Sequence, residues 1–491
     1  MKRSDFVSSI NEGIKKPSSM FRGAPFWAWN GKLEPDQLRR QIRLMNEMGL
    51  GGFFMHSRVG LATPYLSDEW FECIRACCEE AEKSGMKAYL YDEDRWPSGA
   101  AGGLVTKNPK YRMRSLMMEK LEDAAKFKRT KDVIGVFAAR VEKASAYDVR
   151  KIQPGHPLRL SPGESLIVFR VKMQETSPWY NGYTYLDTLS HEAVRQFIRV
   201  TYEAYRKRIS SRFGKSVPGI FTDEPNYGGM LGDDWEKTGI ISAPWTEKLP
   251  RIFRQRYGYD IIDHLPEIFF DVDGQPFTRA RYHYHECATF LFVDAFARQI
   301  GDWCGKNNLL FTGHVLSEDT LSHQTTVVGD CMRFYQYMQA PGMDLLTECW
   351  RFFVTAKQVS SVARQFGRKW RLTETYGCTG WDFPFAGHKA LGDWQAALGI
   401  NLRCPHLAWY TMSGEAKRDY PASIFYQSPW WRFYKNVEDY FARINYIMTE
   451  GSEVRDLLVI HPVESMWLKC KLGWRTDQQV NDYDRMFWKL S

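Results

Sequence analysis

Short apolar runs alternate with amphipathic helical stretches near the N-terminus, and this alternation limits the fold more than any other feature of the chain. Three such runs predict strands over residues 25–31, 52–58 and 87–94. Apolar residues at helical spacing over residues 34–50, and a stretch capped by Ser67 and closed by Gly85, predict helices between the strands. Strands and helices that alternate in this way form parallel sheets with right-handed crossovers. An open doubly wound sheet would also fit, but no glycine-rich nucleotide-binding loop follows the first strand.

The same alternation resumes after residue 190. Further apolar runs predict strands over residues 217–225, 309–319, 343–349, 371–377 and 401–412. A long helical region is predicted over residues 236–308. With the first three strands these make eight strand–helix units, which is the number in a (β/α)8 TIM barrel. The predicted fold class is therefore α/β.

A different pattern interrupts the alternation between residues 105 and 190. Alternating apolar and polar residues predict four strands over residues 114–121, 133–141, 144–152 and 165–173. We interpret them as a small β insertion after the third strand, because insertions at the strand ends of a barrel commonly wall the active site.

The predicted domains are a polar N-terminal segment, a barrel in two parts, the β-rich insertion, and the start of an incomplete C-terminal domain. In that order they cover residues 1–20, 21–104 with 191–451, 105–190, and 452–491. The last of them rests on residues 454–461, a strongly β-type run that ends before Pro462. The residues that follow are too few for a domain of ordinary size, which favours a chain that is part of a longer protein.

Composition excludes several classes of function. The net charge of +8 is spread over 491 residues without a long basic tract, so a nucleic-acid partner is not expected. No apolar run approaches the roughly 18 residues of a membrane helix, and residues 1–20 contain no secretory signal, which predicts a cytoplasmic protein. The ten cysteines form no C-x-x-C pair and are expected to be buried, reduced thiols. The oligomeric state stays open.

Carboxylates follow four of the predicted strands, and this pattern suggests chemistry. They are Asp92-Glu93-Asp94, Asp223-Glu224, Glu318-Asp319 and Glu374, with Glu348 at the end of the sixth strand as a further candidate. The carboxyl ends of barrel strands meet at one face, where burial and mutual repulsion raise carboxyl pKa values. Glycoside hydrolysis needs such a set, because one carboxylic acid protonates the leaving oxygen while another carboxylate activates water or attacks the sugar.

Other side chains at the same strand ends suit a sugar ligand. The chain contains 18 Trp and 25 Tyr, and aromatic faces stack on pyranose rings. The candidate substrate-binding residues are Trp29, Asn30, His56, Arg58, Asp92, Asp94, Trp96, Asp223, His314, Tyr376, Trp381 and Trp409. As an alternative, Asp94, Asp223 and Asp319 could cap the helices that follow them. The acidic cluster could also bind a hard cation, although no D-x-D-x-D-G calcium loop is present.

Three motifs resemble one family in combination. They are Pro-Phe-Trp-Ala-Trp-Asn-Gly at residues 25–31, Gly-Phe-Phe-Met-His-Ser-Arg-Val-Gly-Leu-Ala-Thr-Pro-Tyr-Leu-Ser at 52–67, and Tyr-Asp-Glu-Asp-Arg-Trp-Pro-Ser-Gly at 91–99. They look like the N-terminal barrel signature of bacterial glycoside hydrolases of family 106, the α-L-rhamnosidases, and residues 221–225 fit as well. The resemblance implies a (β/α)8 barrel, an inverting α-L-rhamnosidase activity on plant-type oligosaccharides, and a calcium ion near the sugar. Members are generally longer, with β-sandwich domains after the barrel.

Roles within the acidic cluster are assigned by strand position. We predict Glu224 as the general acid and Glu374 as the base or nucleophile, with Glu318 as the substitute for either role. The same layout also matches retaining barrel glycosidases of other sugar specificity, and a catalytically silent sugar-binding barrel would carry the same aromatic residues. A barrel aldolase or isomerase would need a lysine or a metal cluster at a strand end, and no predicted strand end carries such a lysine.

Overall fold

A computed structural model gives the fold and describes residues 10–229, 235–349, 352–414, 420, 423–451 and 453–490. Its strands are, in chain order, β1 Phe26–Trp29, β2 Gly52–Ser57, β3 Lys87–Tyr91, β4 Arg114–Leu121, β5 Val133–Glu142, β6 Ser145–Lys151, β7 Ser165–Met173, β8 Gly219–Thr222, β9 Ile240–Trp245, β10 Asp271–Val272, β11 Leu310–Gly313, β12 Ala340–Asp344, β13 Leu372–Thr375, β14 Leu402–Pro405 and β15 Ala408–Trp409.

Nine of these strands form one parallel sheet in the order β14-β13-β12-β11-β8-β3-β2-β1-β15. β14 and β15 follow each other directly in the chain and act as one divided strand. β15 pairs with β1, with Trp27 opposite Ala408, so the sheet closes on itself. The sheet is therefore an eight-stranded barrel with a divided last strand, and the predicted (β/α)8 fold is confirmed.

Helices follow the barrel strands and cover the outside of the sheet. Those of seven or more residues are Pro35–Glu47, Asp68–Ser84, His191–Val200, Tyr202–Ile209, Leu249–Tyr257, Arg279–Phe292, Gln299–Lys306, Leu321–Val327, Phe353–Gln365, Phe385–Ala397, Lys435–Ile447, Val463–Lys469 and Gln478–Leu490. Shorter helices are Trp235–Thr238, Leu265–Phe269 and Cys331–Tyr335, and a π-helical turn spans Val293–Arg298. Among the described residues, no helix is long and apolar enough to cross a membrane.

Side chains that point into the barrel alternate along each strand with those that face the helices. Phe26, Phe54, Tyr89 and Phe221 pack together in the barrel interior, whereas Trp27 packs with the surrounding helices. Polar residues occupy the same inward positions farther along the strands, at their carboxyl ends. They are His56, Tyr91, Asp223, His314, Asp344, Glu374 and His406. The barrel thus has an apolar lower part and a polar upper layer.

The sixth barrel strand lies earlier than the sequence predicts. β12 spans Ala340–Asp344 rather than residues 343–349, so Glu348 lies beyond the strand. Gly342 belongs to β12, and a Cβ atom there would lie 2.6 Å from the backbone oxygen of Gly313, so the close approach of the two strands requires a glycine at this position.

The β insertion is larger than predicted. All four predicted strands are present as β4 to β7, and the sheet has the order β10-β6-β5-β7-β4-β9. Its outer strands β9 and β10 come from the chain after β8, where the sequence pattern predicted helix over residues 236–308. β9 contains Pro244 and pairs with β4 at the sheet edge, a position that tolerates proline. The sheet is therefore built from segments on both sides of β8.

The C-terminal part also differs from the prediction. The strand predicted over residues 454–461 is absent from the described structure, and this segment is exposed, with Leu458 at 89%. The segment is apolar but pairs with no described strand, which explains why its β-type pattern was misleading. The chain then packs onto the barrel's outer helices, where the indole of the buried Trp467 donates to the backbone oxygen of Gly329 at 3.0 Å.

Eight of the ten cysteines are buried, as the sequence predicts. All ten are free, and only Cys349 and Cys378 are exposed.

Candidate active site

An ion pair between His314 and Glu374 lies at the centre of the polar layer. His314 follows β11, and its Nε2 donates to a Glu374 carboxylate oxygen at 2.8 Å and lies 3.6 Å from Asp223. Burial alone would lower the pKa of His314, but the Glu374 hydrogen bond and the surrounding carboxylates of Asp344, Glu374 and Asp223 raise it well above 6.5. His314 is therefore a protonated imidazolium that donates a hydrogen bond to the Glu374 carboxyl group.

Asp223 is held at its place by the end of β3. The Tyr91 hydroxyl donates to an Asp223 carboxylate oxygen at 2.6 Å, and the Asp223 backbone N–H donates to the Ser98 hydroxyl at 2.8 Å. Burial and the charge of Glu374 raise the pKa of Asp223 to about 6. Asp223 is thus a rigid member of the cluster, not a helix cap.

Glu224 has a different environment from its neighbour. Its backbone φ is +47°, in the left-handed region, so the chain turns away from the strand direction before Pro225. Its side chain is only partly buried, and none of the described residues donates a hydrogen bond to its carboxylate. Burial, and then the charges of Asp223, Glu374 and Glu318, raise the pKa of Glu224 to about 8. Glu224 is therefore a protonated acid at neutral pH.

Two more carboxylates complete the cluster. Glu318 accepts hydrogen bonds from the Tyr335 hydroxyl and from the Asp344 backbone N–H, each at 2.6 Å. Burial raises its pKa to about 7. Asp344 stands opposite Glu374 in the register of β12 and β13, and its buried Oδ1 has no hydrogen-bond partner among the described residues. Burial and the charge of Glu374 raise the pKa of Asp344 well above its usual value.

One side of the cluster is basic and aromatic. The Arg58 guanidinium lies over the Trp96 ring at 4.5 Å, and its Nη1 donates to His56 Nε2 at 3.1 Å. The His56 ring stacks on Tyr91 at 3.9 Å, and its Nδ1 lies 2.5 Å from the Ser57 carbonyl oxygen, which it can only approach as a donor. Burial and the charge of Arg58 lower the pKa of His56 well below 6.5. His56 is therefore neutral and Arg58 is the cation.

Sequence reasoning missed three residues of this layer, Tyr91, Asp344 and His406. His406 Nε2 lies 3.9 Å from Glu374, and burial together with Arg58 lowers the pKa of His406. All three could have been found from the alternation of inward-facing and outward-facing side chains along a strand. Each of them lies an even number of residues after an apolar residue that points into the barrel. Asp344 was also missed because the sixth strand was predicted over residues 343–349, so that Asp344 did not stand at the predicted end of the strand.

Two tryptophans that the sequence marked for substrate binding are core residues. Trp29 is fully buried and packs edge-on against Trp27 and Trp70, with ring centroids 5.7 and 5.9 Å apart. Trp409 is also fully buried, within the apolar cluster of the barrel interior. Neither ring has a face open to a ligand, and this burial contradicts the prediction that Trp29 and Trp409 stack on the substrate.

Asn30 and Asp92 hold the strand ends together. The Asn30 amide donates to the Thr411 carbonyl oxygen at 2.8 Å and accepts from the Thr411 N–H at 3.1 Å. Asp92 points away from the barrel axis and accepts from the Ser98 and Tyr202 hydroxyls, each at 2.6 Å. Because these groups are engaged, both residues position the loops around the cluster.

The remaining predicted residues lie on the loops around the cluster. Asp94 accepts from the Asn181 amide at 3.2 Å, which ties the loop after β3 to the exit of the insertion. Tyr376 is buried, and its hydroxyl donates to the His388 carbonyl oxygen at 3.2 Å. Trp381 is 36% exposed, so its ring is accessible on the loop after β13.

The cluster has donors that could hold a cation. Ligand atoms of Asp223, His314 and Glu374 lie within 4.8 Å of one another, and all three residues are buried. Calcium binds six to eight oxygen atoms, and the unpartnered Asp344 Oδ1 adds a further carboxylate oxygen nearby. The His314 nitrogen is engaged with Glu374, so the carboxylates are the part of this set that fits a calcium ion.

A (β/α)8 barrel that brings several carboxylates with raised pKa values together at its strand ends has the architecture of a barrel glycoside hydrolase. The model of glycoside hydrolase family 106, described as alpha-L-rhamnosidase, matches residues 166–468, and the chain belongs to this family. This confirms the resemblance seen in the sequence motifs.

One known protein is similar to this chain in sequence, and two solved structures are similar to it in fold. A protein of Formosa agariphila named "Putative beta-glucuronidase" is 21% identical over 92% of this chain and 43% of its own length. The fold is similar to that of a rhamnosidase from Novosphingobium sp. PP1Y, with TM-score 0.65, 14% identity, and coverage of 90% of this chain and 61% of that one. A beta-galactosidase from Halorubrum lacusprofundi gives TM-score 0.51 and 13% identity, over 95% of this chain and 64% of that one. The chain thus spans less than two thirds of the length of each.

Proposed function

We propose that this protein hydrolyses α-L-rhamnosidic bonds of oligosaccharides, with Glu224 as the general acid and Glu374 as the base or nucleophile. The observation that carries the proposal is the contrast between these two carboxyl groups. Glu224 is partly exposed with a pKa of about 8, whereas Glu374 is buried and bonded to the His314 imidazolium. One carboxylic acid and one carboxylate are what the reaction requires.

In the proposed reaction the Glu224 carboxyl donates its proton to the glycosidic oxygen as the bond to the anomeric carbon breaks. The leaving group departs as an alcohol, and positive charge develops on the sugar ring. In one course Glu374 takes a proton from a water molecule whose oxygen bonds to the anomeric carbon. In the other course Glu374 attacks the anomeric carbon itself and forms a glycosyl ester, which water then hydrolyses as Glu224 takes the proton of that water. Family membership supports the first, inverting, course. Glu318 remains the substitute for either role because it is also buried beside the cluster.

We also propose calcium as a bound ion, held by carboxylate oxygens of Asp223, Asp344 and Glu374. The ion would supply positive charge to a site rich in carboxylates and would bind sugar hydroxyls. A rise in the melting temperature on adding calcium, reversed by a chelator, supports the site. An identical melting temperature with calcium and with chelator contradicts it.

A second candidate substrate is an aryl or sugar β-glucuronide. Two observations favour it: the printed name of the Formosa agariphila relative, and the Arg58 guanidinium at one side of an otherwise acidic site. A guanidinium binds a uronate carboxylate through paired hydrogen bonds. With this substrate Glu224 would still be the general acid, and only the sugar bound at the site would differ.

A panel of aryl glycosides that includes an α-L-rhamnoside and a β-D-glucuronide tests class and specificity together. Detection of the first-formed anomer by NMR gives the stereochemistry, and the Glu224→Gln variant is the control for contaminating activity. We expect the α-L-rhamnoside to be cleaved with inversion. Binding of sugars without cleavage of any substrate would instead support a silent sugar-binding barrel. A cytoplasmic location and a plant-type substrate remain predictions from the sequence.

A further inference from the structure

Glu224, the proposed general acid, stands between two sectors of the barrel mouth. It follows β8, which pairs with β11 on one side and with β3 on the other. Glu374 at the end of β13, Asp344 on β12 and Glu318 after β11 all lie on the β11 side. The two carboxyl groups of a glycosidase flank the scissile bond, so the leaving group lies on the side of the acid, away from the second carboxylate. In the proposed reaction this is the β3 side of Glu224.

A turn of the β insertion, Pro178–Tyr180, is fixed to the loop after β3. The Trp179 indole Nε1 donates to the Trp96 carbonyl oxygen at 2.6 Å, and the two rings meet nearly at right angles with centroids 5.0 Å apart. Just after the turn, the Asn181 amide donates to the Gly102 carbonyl oxygen at 2.9 Å. The insertion thus reaches the β3 side of the active site and is held there by several contacts.

Tyr180 is connected to the acid through a short series of contacts. Its partly buried ring stacks on Tyr185 with centroids 5.8 Å apart, and the Tyr185 hydroxyl donates to the Ser98 carbonyl oxygen at 2.6 Å. The Ser98 backbone N–H donates to the carbonyl oxygen of Asp223 at 2.8 Å, and Asp223 directly precedes Glu224. Tyr180 therefore belongs to the same packed region as the acid-bearing turn.

The Tyr180 hydroxyl is open to a ligand. It makes no hydrogen bond to any residue that the structure describes, whereas the hydroxyls of Tyr91 and Tyr185 each have a partner. Burial, and then the charges of Glu93 and Glu224, raise the pKa of Tyr180, so its hydroxyl keeps its proton at neutral pH. A hydroxyl in this state can both donate and accept a hydrogen bond.

The surroundings of this hydroxyl suit a sugar ring. Trp96 is partly buried beside the same turn, with the Arg58 guanidinium over its ring at 4.5 Å. Apolar ring surface next to a hydroxyl suits a pyranose, which presents both C–H groups and hydroxyls. We propose that Tyr180 determines specificity for the leaving group, because its hydroxyl binds a hydroxyl of the second sugar of the oligosaccharide, which packs beside Trp96. This inference rests on the proposed function.

The Tyr180→Phe variant tests the inference, because it removes the hydroxyl and keeps the ring. Its kcat/KM is measured for an α-L-rhamnosyl disaccharide and for methyl α-L-rhamnoside, which has no second sugar. We expect Tyr180→Phe to lower the ratio of the first kcat/KM to the second about three- to tenfold, the effect of one hydrogen bond. Tyr147→Phe, which removes a partly buried hydroxyl on β6, is the matched control and should leave the ratio as in the wild type. An unchanged ratio for Tyr180→Phe overturns the inference.

Binding is measured separately, so that failure of this inference and failure of the proposed function are distinguishable. Calorimetry uses Glu224→Gln protein with and without Tyr180→Phe. The ligands are α-L-rhamnosyl and β-D-glucuronosyl disaccharides, each compared with its first sugar alone. Weaker binding of either disaccharide with Tyr180→Phe, without a change for the single sugar, supports the inference even if the wild-type protein cleaves no rhamnoside. Equal binding by the two proteins, an equal loss for the single sugar, or no binding of either disaccharide overturns it even if methyl α-L-rhamnoside is cleaved.

Discussion

Glu224 is the only carboxyl group of the cluster that combines partial exposure, a left-handed backbone and a raised pKa among the residues described. The turn at Glu224 separates it from Asp223, which is locked by Tyr91 and Ser98. A group that must give its proton to a departing oxygen has to reach the substrate without being held by neighbours. The environment of Glu224 meets this condition, and that of Asp223 does not.

The acid role of Glu224 predicts a dependence on the leaving group. Glu224→Gln should lower kcat/KM by several orders of magnitude for a disaccharide, whose leaving alcohol needs protonation. The loss should be much smaller for a dinitrophenyl glycoside, because that phenolate leaves without a proton. Glu374→Gln is the matched control and should impair both substrates. Equal losses for Glu224→Gln on the two substrates would remove Glu224 from the acid role.

The pH dependence follows from the same group. Burial and neighbouring carboxylates raise the pKa of Glu224 to about 8, so the active protonated form is lost above that pH. We expect kcat/KM to fall tenfold per pH unit above about pH 8. For stability, a raised carboxyl pKa stabilises the folded protein below the ordinary pKa of about 4.3, and this stabilisation is lost as the pH rises through about 8.

Glu224→Gln therefore should unfold at a higher temperature than the wild type at pH 9, and should show no such advantage at pH 4. Melting curves at the two pH values check this. A melting difference that is independent of pH would contradict the raised pKa.

At the residue scale the sequence was informative about acids that directly follow strands, such as Asp223 and Glu224. It was less informative about aromatic residues, since Trp29 and Trp409 look the same in sequence whether a ring faces a sugar or the core. Burial is decided by neighbours that are distant in the chain, such as Trp70 for Trp29. A strand-end position alone therefore could not assign their role.

The loop after β3 shows how one buried side chain can order an element. Glu93 accepts hydrogen bonds at 2.8 Å from the backbone N–H groups of Asp94, Gly99 and Ala101, and at 2.5 Å from that of Gly102. The loop that carries Trp96 and Ser98 toward the cluster is thus wrapped around one carboxyl group. The sequence placed Glu93 among the carboxylates that follow the predicted strands without assigning it a role, and the structure gives it this scaffolding contact.

Replacement of Glu93 should destabilise the protein more than an ordinary substitution. Glu93→Ala leaves three buried N–H groups and one partly buried N–H group without their acceptor, and each buried group costs about 1–3 kcal/mol unless water replaces the carboxyl group. We expect the free energy of unfolding in urea to fall by at least about 3 kcal/mol. Glu93→Gln keeps one acceptor oxygen and should lose less. A loss under about 1 kcal/mol for Glu93→Ala would show that water can replace the carboxylate.

Among the elements, the eight barrel strands were predictable as short apolar runs, although the sixth was predicted too late in the chain. β9 and β10 were not, since they are short edge strands whose partners lie more than a hundred residues earlier in the chain. For residues 454–461 the error was the opposite one, because a strand was predicted and the described structure has none there. Their β-type composition describes a strand only when a partner strand is available, and none is among the described residues.

On the scale of the whole molecule, a buried ion pair joins the two ends of the barrel chain. Arg403 on β14 donates to both carboxylate oxygens of Glu438 at 2.8 Å. Glu438 also accepts from the Gly23 backbone N–H at 2.7 Å, just before β1. Both side chains are almost fully buried, with 3% and 0% exposure. This contact lies where the last strand meets the first.

Breaking this pair should weaken closure of the barrel. Glu438→Leu leaves the Arg403 charge buried and unpaired, which costs about 3–5 kcal/mol of folding free energy. The double variant Arg403→Met/Glu438→Leu should recover much of this loss because no charge is left unpaired. Chemical denaturation of the wild type, both single variants and the double variant measures the coupling. Additive effects of the two substitutions would exclude a direct interaction.

The interleaving of the insertion sheet with β8 has a consequence for how such an enzyme can be re-engineered. β4 and β9 pair side by side, yet the strand that leads into Asp223 and Glu224 lies between them in sequence. Excision of residues 105–190 would strip β9 and β10 of their sheet, so the insertion cannot be transplanted as one contiguous cassette. To exchange this sheet between relatives, two separate segments of the chain have to be replaced together. The turn that contains Asp223 and Glu224 lies between these two segments in the sequence.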